Sequence, residues 1–272
     1  MRSIPLYHLE SVIVRSIPSF RSQKKLSPED DLDAVADEII KRNMDEFCWS
    51  LHFDPAFLVR VFYSGFLPIC TELGAPGDPV YCLLPKLHFQ RCVVVLENFV
   101  ISSKTRRKAK KYVIRVSKNF QDVLDACSRQ HRDRNWLYPP FAHGLADLAT
   151  GAAVLPANCP VRVVSVELVD ENDTLVAGEI GFTCGSVYTS MTGFYSRSGC
   201  GSIQLAALGA LLKQQGFSTW DLGMDMQYKR GMGAVLLGRS EWIALLRSQR
   251  ITRKELPSEP VKVSNLLTVI DS

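Results

Sequence analysis

At 272 residues, 46% hydrophobic and 22% charged, the chain carries enough apolar content to bury a core in one large domain or two modest ones. No apolar run reaches the roughly 18 residues of a membrane span, and a net charge of +4 is too small by itself to argue for nucleic-acid binding. Eight scattered cysteines and five histidines form none of the close pairs that zinc or thiol-redox chemistry needs, so neither a metal site nor a thiol-redox motif is expected, and the setting expected is a reducing, cytoplasmic one.

Residues 1–28 end in the polar run SQKKLSPED and read as an extended lead-in, with arginines near the start but no cleavage site to mark a targeting peptide. Ser27-Pro28-Glu29-Asp30 predicts a helix start, and Leu32, Val35, Ala36, Ile39, Ile40 and Met44 follow at helical spacing. A second helix is expected from an Asp54 cap to a stop at Gly65, and GAPGDP (74–79) reads as a loop. Short strands are expected at 80–84, at 92–101 and in YVIRVS, then helices in NFQDVLDAC and PPFAHGLADLATG. The second half predicts a hairpin from PVRVVSVELVD and LVAGEIGFTCG, a third strand SVYTSMTGF and a strong helix ending at Gly216. A returning strand FSTWDLGMD and a helix SEWIALLRSQR follow, with a polar, mobile tail from Thr252.

This order predicts an α/β protein of α+β type. A small N-terminal α/β portion (29–135) precedes a GNAT-like, acyl-CoA N-acyltransferase-like domain (136–250) with a mainly antiparallel sheet, and a tail (251–272) ends the chain. Charge is concentrated in one place. Lys104, Arg106, Arg107, Lys108, Lys110 and Lys111 fall within eight residues, with no acid from Ile101 to Gln121. Two readings stand: a solvated helix face, or a patch for phosphates.

Several segments together resemble the leucyl/phenylalanyl-tRNA–protein transferases of bacteria. Tyr63-Ser64-Gly65-Phe66-Leu67-Pro68 is similar to that family's Tyr…Gly-Ile-Phe-Pro-Trp motif, and Cys127 and Trp136 have the separation of its Cys…Thr-Trp-Ile segment. LVAGEIGFTCG (175–185) is similar to its LVGG-Tyr-Gly-Val…Gly strand pair, and the two patterns run without a gap to Asp221. Gly233-Ala234, Leu237-Gly238-Arg239 and Glu241-Trp242 then follow its Gly-Ala, Ile-Pro-Arg and Glu-Phe. The resemblance is collinear over roughly residues 60–247.

The resemblance implies transfer of leucine, phenylalanine or methionine from the tRNA 3′ end to the amino terminus of an acceptor protein, one starting with arginine or lysine in bacteria. Such a modification feeds N-terminus-dependent degradation. It implies no nucleotide cofactor, because the ester is already activated, no membrane, and a monomer acting on aminoacyl-tRNA. Asp221 matches the aspartate of the family's Asp-Cys-Gln and is the catalytic candidate. The family's glutamine is Gly223 here, the glutamate of its Gly-Glu-Ser is Met191, and its front-end tryptophan is Ile69. Strand alternation places Asp221, Gly223 and Asp225 on one face, with Gln227 next if the strand continues. Trp136, Met191, Phe194, Leu205 and Leu208, with Gly223, are the expected aminoacyl pocket. Tyr63 and the cluster Lys104, Arg106, Arg107, Lys108, Lys110 and Lys111 are the expected tRNA contacts. Two alternatives remain: an acyl-CoA-dependent acyltransferase using the turn Arg197–Ser202, and a homologue that binds tRNA or a peptide without catalysis.

Overall fold

The computed structural model describes residue 14 and residues 17–75, 77–155 and 159–268; most of the expected lead-in, with its targeting question, lies outside the described residues. Helix α1 (Leu32–Lys41) begins one turn later than Ser27, because Asp31 Oδ1 accepts the Asp33 and Ala34 N–H groups, each at 3.1 Å. The expected starter instead forms a turn in which Ser27 N–H donates to Asp30 Oδ2 at 2.7 Å. Helix α2 (Pro55–Tyr63) starts as expected at Asp54, which caps the Phe57 N–H at 2.9 Å. Strands β1 (Leu67–Ala75) and β2 (Asp78–Lys86) then make a two-stranded antiparallel hairpin. The segment expected as a loop at 74–79 is therefore only the tip of that hairpin.

The other eight strands among the described residues form one sheet. In chain order they are β3 (Gln90–Val95), β4 (Val113–Val116), β5 (Val161–Val169), β6 (Leu175–Cys184), β7 (Val187–Tyr195), β8 (Thr219–Asp221), β9 (Val235–Gly238) and β10 (Val261–Lys262). Their spatial order is β10-β4-β5-β6-β7-β8-β3-β9, antiparallel at every step except β7–β8. The meander β5–β6–β7, helix α6 (Cys200–Gln214) and parallel return through β8 give the mixed α/β, mainly antiparallel architecture expected. Strands β3 and β4, both ahead of residue 136, belong to this same sheet.

Strand alternation divides the apolar side chains between two cores. On one face lie α1, α2, α4 (Phe120–Gln130), α5 (Pro139–Thr150) and α8 (Arg239–Gln249), packed on Val161, Val163, Ile180 and Phe182. On the other lie α3 (Ser103–Ala109), α6 and α9 (Val263–Thr268), packed on Val166, Leu168 and Tyr188. The tail expected to be polar and mobile is packed: β10 pairs with β4, and Val263, Leu266 and Leu267 are buried against α3 and α6. Their i, i+3, i+4 spacing is an amphipathic helix too short to stand out in the sequence. Among the described residues no helix is long and apolar enough to cross a membrane.

Candidate active site

The sheet opens between β7 and β8. Their parallel pairing runs Val187↔Thr219, Tyr188↔Trp220 and Thr189↔Asp221, and there β8 ends while β7 continues to Tyr195. On the far side of β7 the register with β6 slips at the same level. Ile180 faces Thr192 and Gly181 faces Ser190, so Met191 is the extra residue of a β-bulge. A bulge bends its strand and re-aims its side chains. Ser190, Met191 and Thr192, all half-buried, therefore border a wedge at the carboxyl ends of two diverging parallel strands, a place where sheets of this kind hold ligands.

Asp221 closes the bottom of that wedge and is 0% exposed. Its carboxylate accepts from Arg91 Nε at 2.9 and 3.1 Å, from Thr189 Oγ1 at 3.1 Å and from the Gly223 N–H at 2.9 Å. Arg91, 1% exposed, spends its remaining donors on His88 Nδ1 (2.7 Å) and Gly65 O (3.4 Å), and its guanidinium lies 4.9 Å from the Trp242 ring centre. Burial, and then the Arg91 charge, push the His88 pKa down to about 2, so its imidazole is neutral and Nδ1 accepts. The sequence reading sets Asp221 at the end of a strand facing the aminoacyl site; in the structure it ends β8, fully buried, with its carboxylate bonded to Arg91, Thr189 and the Gly223 N–H.

The strand also stops sooner than alternation suggests. Gly223 turns the chain at φ +71°, a left-handed conformation that side chains rarely adopt, and a Cβ there would lie 3.3 Å from Leu67 Cδ2. Asp225 and Gln227 consequently leave the Asp221 face: Asp225 pairs with Arg230, and Gln227 starts the short helix α7 (Gln227–Arg230). Lys229 holds the turn from beneath, donating to Leu222 O at 2.6 Å and Met224 O at 2.7 Å, and burial lowers its pKa.

The expected pocket residues are split by the sheet. Trp136, Met191 and Phe194 pack on the first core, the face that also carries Trp242. Leu205 and Leu208 pack on the second core, and Leu208 is fully buried. Phe194 also floors a surface groove of ≈ 520 Å³ with Asp122, Asp125 and Arg129 of α4. Tyr63 is half-buried and carries a guanidinium on its ring. Arg250 lies 3.9 Å from its ring centre, donates to its carbonyl at 3.0 Å and grips Asp33 with both terminal nitrogens.

The basic cluster forms α3 and its exit, capped by Ser102, whose Oγ accepts the Thr105 N–H at 3.2 Å. Arg106 is half-buried and donates to Leu267 O at 3.1 Å. Lys104, Arg107, Lys108, Lys110 and Lys111 are exposed, and among the described residues none has a carboxylate within 4.0 Å. In the Arg197–Ser202 turn, Arg197 is tied to Asp170 at 2.7 Å.

Sequence reasoning missed a second polar group on the α6 face of the wedge. Glu179 of β6, 3% exposed, accepts from Ser190 Oγ at 2.6 Å, Tyr188 Oη at 3.0 Å and Gln204 Nε2 at 3.0 Å. Trp220 Nε1 donates to Ser190 Oγ at 2.9 Å. Gly181 makes this possible, because a Cβ there would come within 2.4 Å of the Tyr188 hydroxyl. The available signal was a lone acid inside the apolar run LVAGEIGF, as the missed Arg91 is a lone cation before CVVVL.

The sequence model of the leucyl/phenylalanyl-tRNA protein transferases matches residues 93–247, more than half of the chain. A leucyl/phenylalanyl-tRNA–protein transferase of Jannaschia sp. (strain CCS1) is 28% identical over 194 residues, 71% of this chain and 84% of that one. One from Hydrogenovibrio crunogenus is 24% identical over 212 residues, 76% and 75% of the two chains. Among solved structures, L-PGS from Bacillus licheniformis is similar at 14% identity and a TM-score of 0.37, over 81% of this chain and 79% of that one.

Proposed function

Because the chain belongs to the leucyl/phenylalanyl-tRNA protein transferase family, we propose that it moves leucine, phenylalanine or methionine from the 3′ end of tRNA to the N-terminal amine of an acceptor protein. The match over residues 93–247 carries this reading, since it runs from β3 to α8 and encloses the whole β7–β8 wedge. The half-buried Trp136 and Met191 supply an apolar wall, and methionine accommodates side chains of more than one shape. The exposed cations of α3 offer contacts for the phosphates of the acceptor stem, whose A-form groove hides base edges. The acceptor starts with arginine or lysine, the product enters N-terminus-dependent degradation, and the reaction runs in the cytoplasm, where charged tRNA is made.

In this reading Asp221 is a positioning residue. Its hydrogen bonds to Arg91, Thr189 and the Gly223 N–H fix the place where β8 leaves the sheet, and so fix one wall of the wedge. Positioning is a large part of what this reaction requires, because the ester is already activated and the amine needs only to be held against it.

Equilibrium binding tests the pocket. Burying a leucine or phenylalanine side chain is worth about 1.5–3 kcal/mol, so Leu- and Phe-charged tRNA are expected to bind about 10–100-fold tighter than uncharged or Asp-charged tRNA. Trp136→Ala should erase most of that difference and leave uncharged tRNA binding unchanged. Equal affinity of the wild type for charged and uncharged tRNA would contradict an aminoacyl pocket.

A further inference from the structure

Three carboxylates of the sheet are almost wholly buried: Glu167 and Asp221 at 0% exposed and Glu179 at 3%. Two of them face an arginine, Arg115 for Glu167 at 3.4 Å and Arg91 for Asp221 at 2.9 Å. Glu179 differs. Among the described residues no cationic nitrogen comes within 4.0 Å of its oxygens, and its direct partners are two hydroxyls and an amide. A carboxylate taken out of water without a counter-charge in contact is costly, and such groups cluster at reacting sites. Burial raises its pKa, with the hydrogen bonds from Ser190, Gln204 and Tyr188 opposing that rise.

The route from this buried acid to the wedge is one side chain long. Ser190 is half-buried, follows directly on the last β7–β8 pair and precedes the bulged Met191. Its hydroxyl has one available orientation. It accepts from Trp220 Nε1 at 2.9 Å and therefore donates to Glu179 at 2.6 Å. The pair is thus poised to take a proton at the wedge and store it beneath the sheet.

We propose that Ser190 is the catalytic proton-transfer residue of this site and that Glu179, acting through it, is the proton acceptor. The proposal rests on the aminoacyl-transfer reading. The acceptor's amine nitrogen bonds to the ester carbonyl carbon and passes a proton to Ser190 Oγ as Ser190 passes its own to Glu179. The bond from that carbon to the ribose oxygen then breaks, and the proton returns along the same path to the leaving oxygen. The products are an amide and a free ribose hydroxyl, and no other reactant is needed. The role is one that neither Met191 nor Gly223, at the family's glutamate and glutamine positions, has the atoms to fill.

The other charged or titratable groups facing Glu179 are Tyr188 on β7, Tyr228 and Lys229 on α7, and Cys127 on α4. Burial pushes the Cys127 thiol up to about 12 and raises both tyrosines, so these stay protonated near neutrality. Lys229 is the remaining cation, its pKa lowered by burial.

The test is steady-state transfer of labelled phenylalanine from tRNA to an acceptor protein starting with arginine. It compares the wild type, Glu179→Gln, Ser190→Ala and Ser190→Thr across pH, with urea unfolding measured in parallel. Glu179→Gln and Ser190→Ala are each expected to lower kcat about 100-fold while KM for charged tRNA and folding hold. Ser190→Thr should keep most activity. In the wild type kcat should fall as pH drops through the raised Glu179 pKa, since a protonated carboxyl accepts no proton, and this limb should vanish in Glu179→Gln. Wild-type transfer that persists undiminished in both Glu179→Gln and Ser190→Ala, or losses that only track unfolding, would overturn this proposal alone. No transfer by the wild type would overturn the aminoacyl-transfer reading, and this proposal with it.

Discussion

Arg91→Met is expected to destabilise the protein by about 3–5 kcal/mol in urea unfolding, the largest effect of any single substitution at the wedge. The substitution leaves Asp221 charged and 0% exposed, with only the Thr189 hydroxyl and the Gly223 N–H as donors. It also strips Gly65 O of a donor and Trp242 of its stacked guanidinium, so the segment joining α2 to β1 loosens with it. Asp221→Asn placed on Arg91→Met should recover a large part of the loss, because the buried charge is then gone. A loss below about 1 kcal/mol for Arg91→Met would mean that the pair is solvated in solution and that Asp221 is open to substrate. The same arithmetic bears on activity: loss of transfer in Asp221→Ala identifies a reacting group only if folding is measured alongside and found intact.

Replacing Lys104, Arg107, Lys108, Lys110 and Lys111 together with glutamine should weaken tRNA binding about 100-fold or more at low salt and shallow the salt dependence by about one unit per cation that meets a phosphate. Arg106 stays in place because it donates to Leu267 O and joins α3 to α9. The remaining five are exposed and, among the described residues, none pairs with a carboxylate, so folding should be unchanged within about 0.5 kcal/mol, as for most surface substitutions. Binding of tRNA at several salt concentrations checks this. An unaltered slope would make α3 a solvated face and move the tRNA path elsewhere.

Periodicity and capping made much of the fold legible. Asp54 and Gly65 bracket α2, the two apolar runs around Asn172–Thr174 make the β5–β6 hairpin, and the all-round apolar α6 is buried on most of its surface. What failed had physical causes. The β1–β2 hairpin hides behind glycine and proline at its tip, and β8 is three residues long because Gly223 turns it out of the sheet. The last helix shows itself only by what it packs on. At the site, alternation placed Asp221 on a face but gave no sign that Arg91, 130 residues earlier, would fill it. Likewise the apolar pattern of β6 masked Glu179, whose partners come from β7 and α6. A bulge, by moving the register one residue, placed Met191 at the wedge without any local sequence mark. Charges buried by distant strands are settled by tertiary pairing, which a period of two does not encode.

Incorporation of label into protein measures aminoacyl transfer directly. Purified wild type is incubated with tRNA charged with radiolabelled leucine, phenylalanine or methionine and with acceptors starting with arginine or lysine. Mass spectrometry of the acceptor's N-terminal peptide locates the added residue. One added apolar residue on the N-terminal amine is expected, with no added nucleotide or metal. A folded protein that binds charged tRNA and transfers none of the three to any acceptor would contradict it.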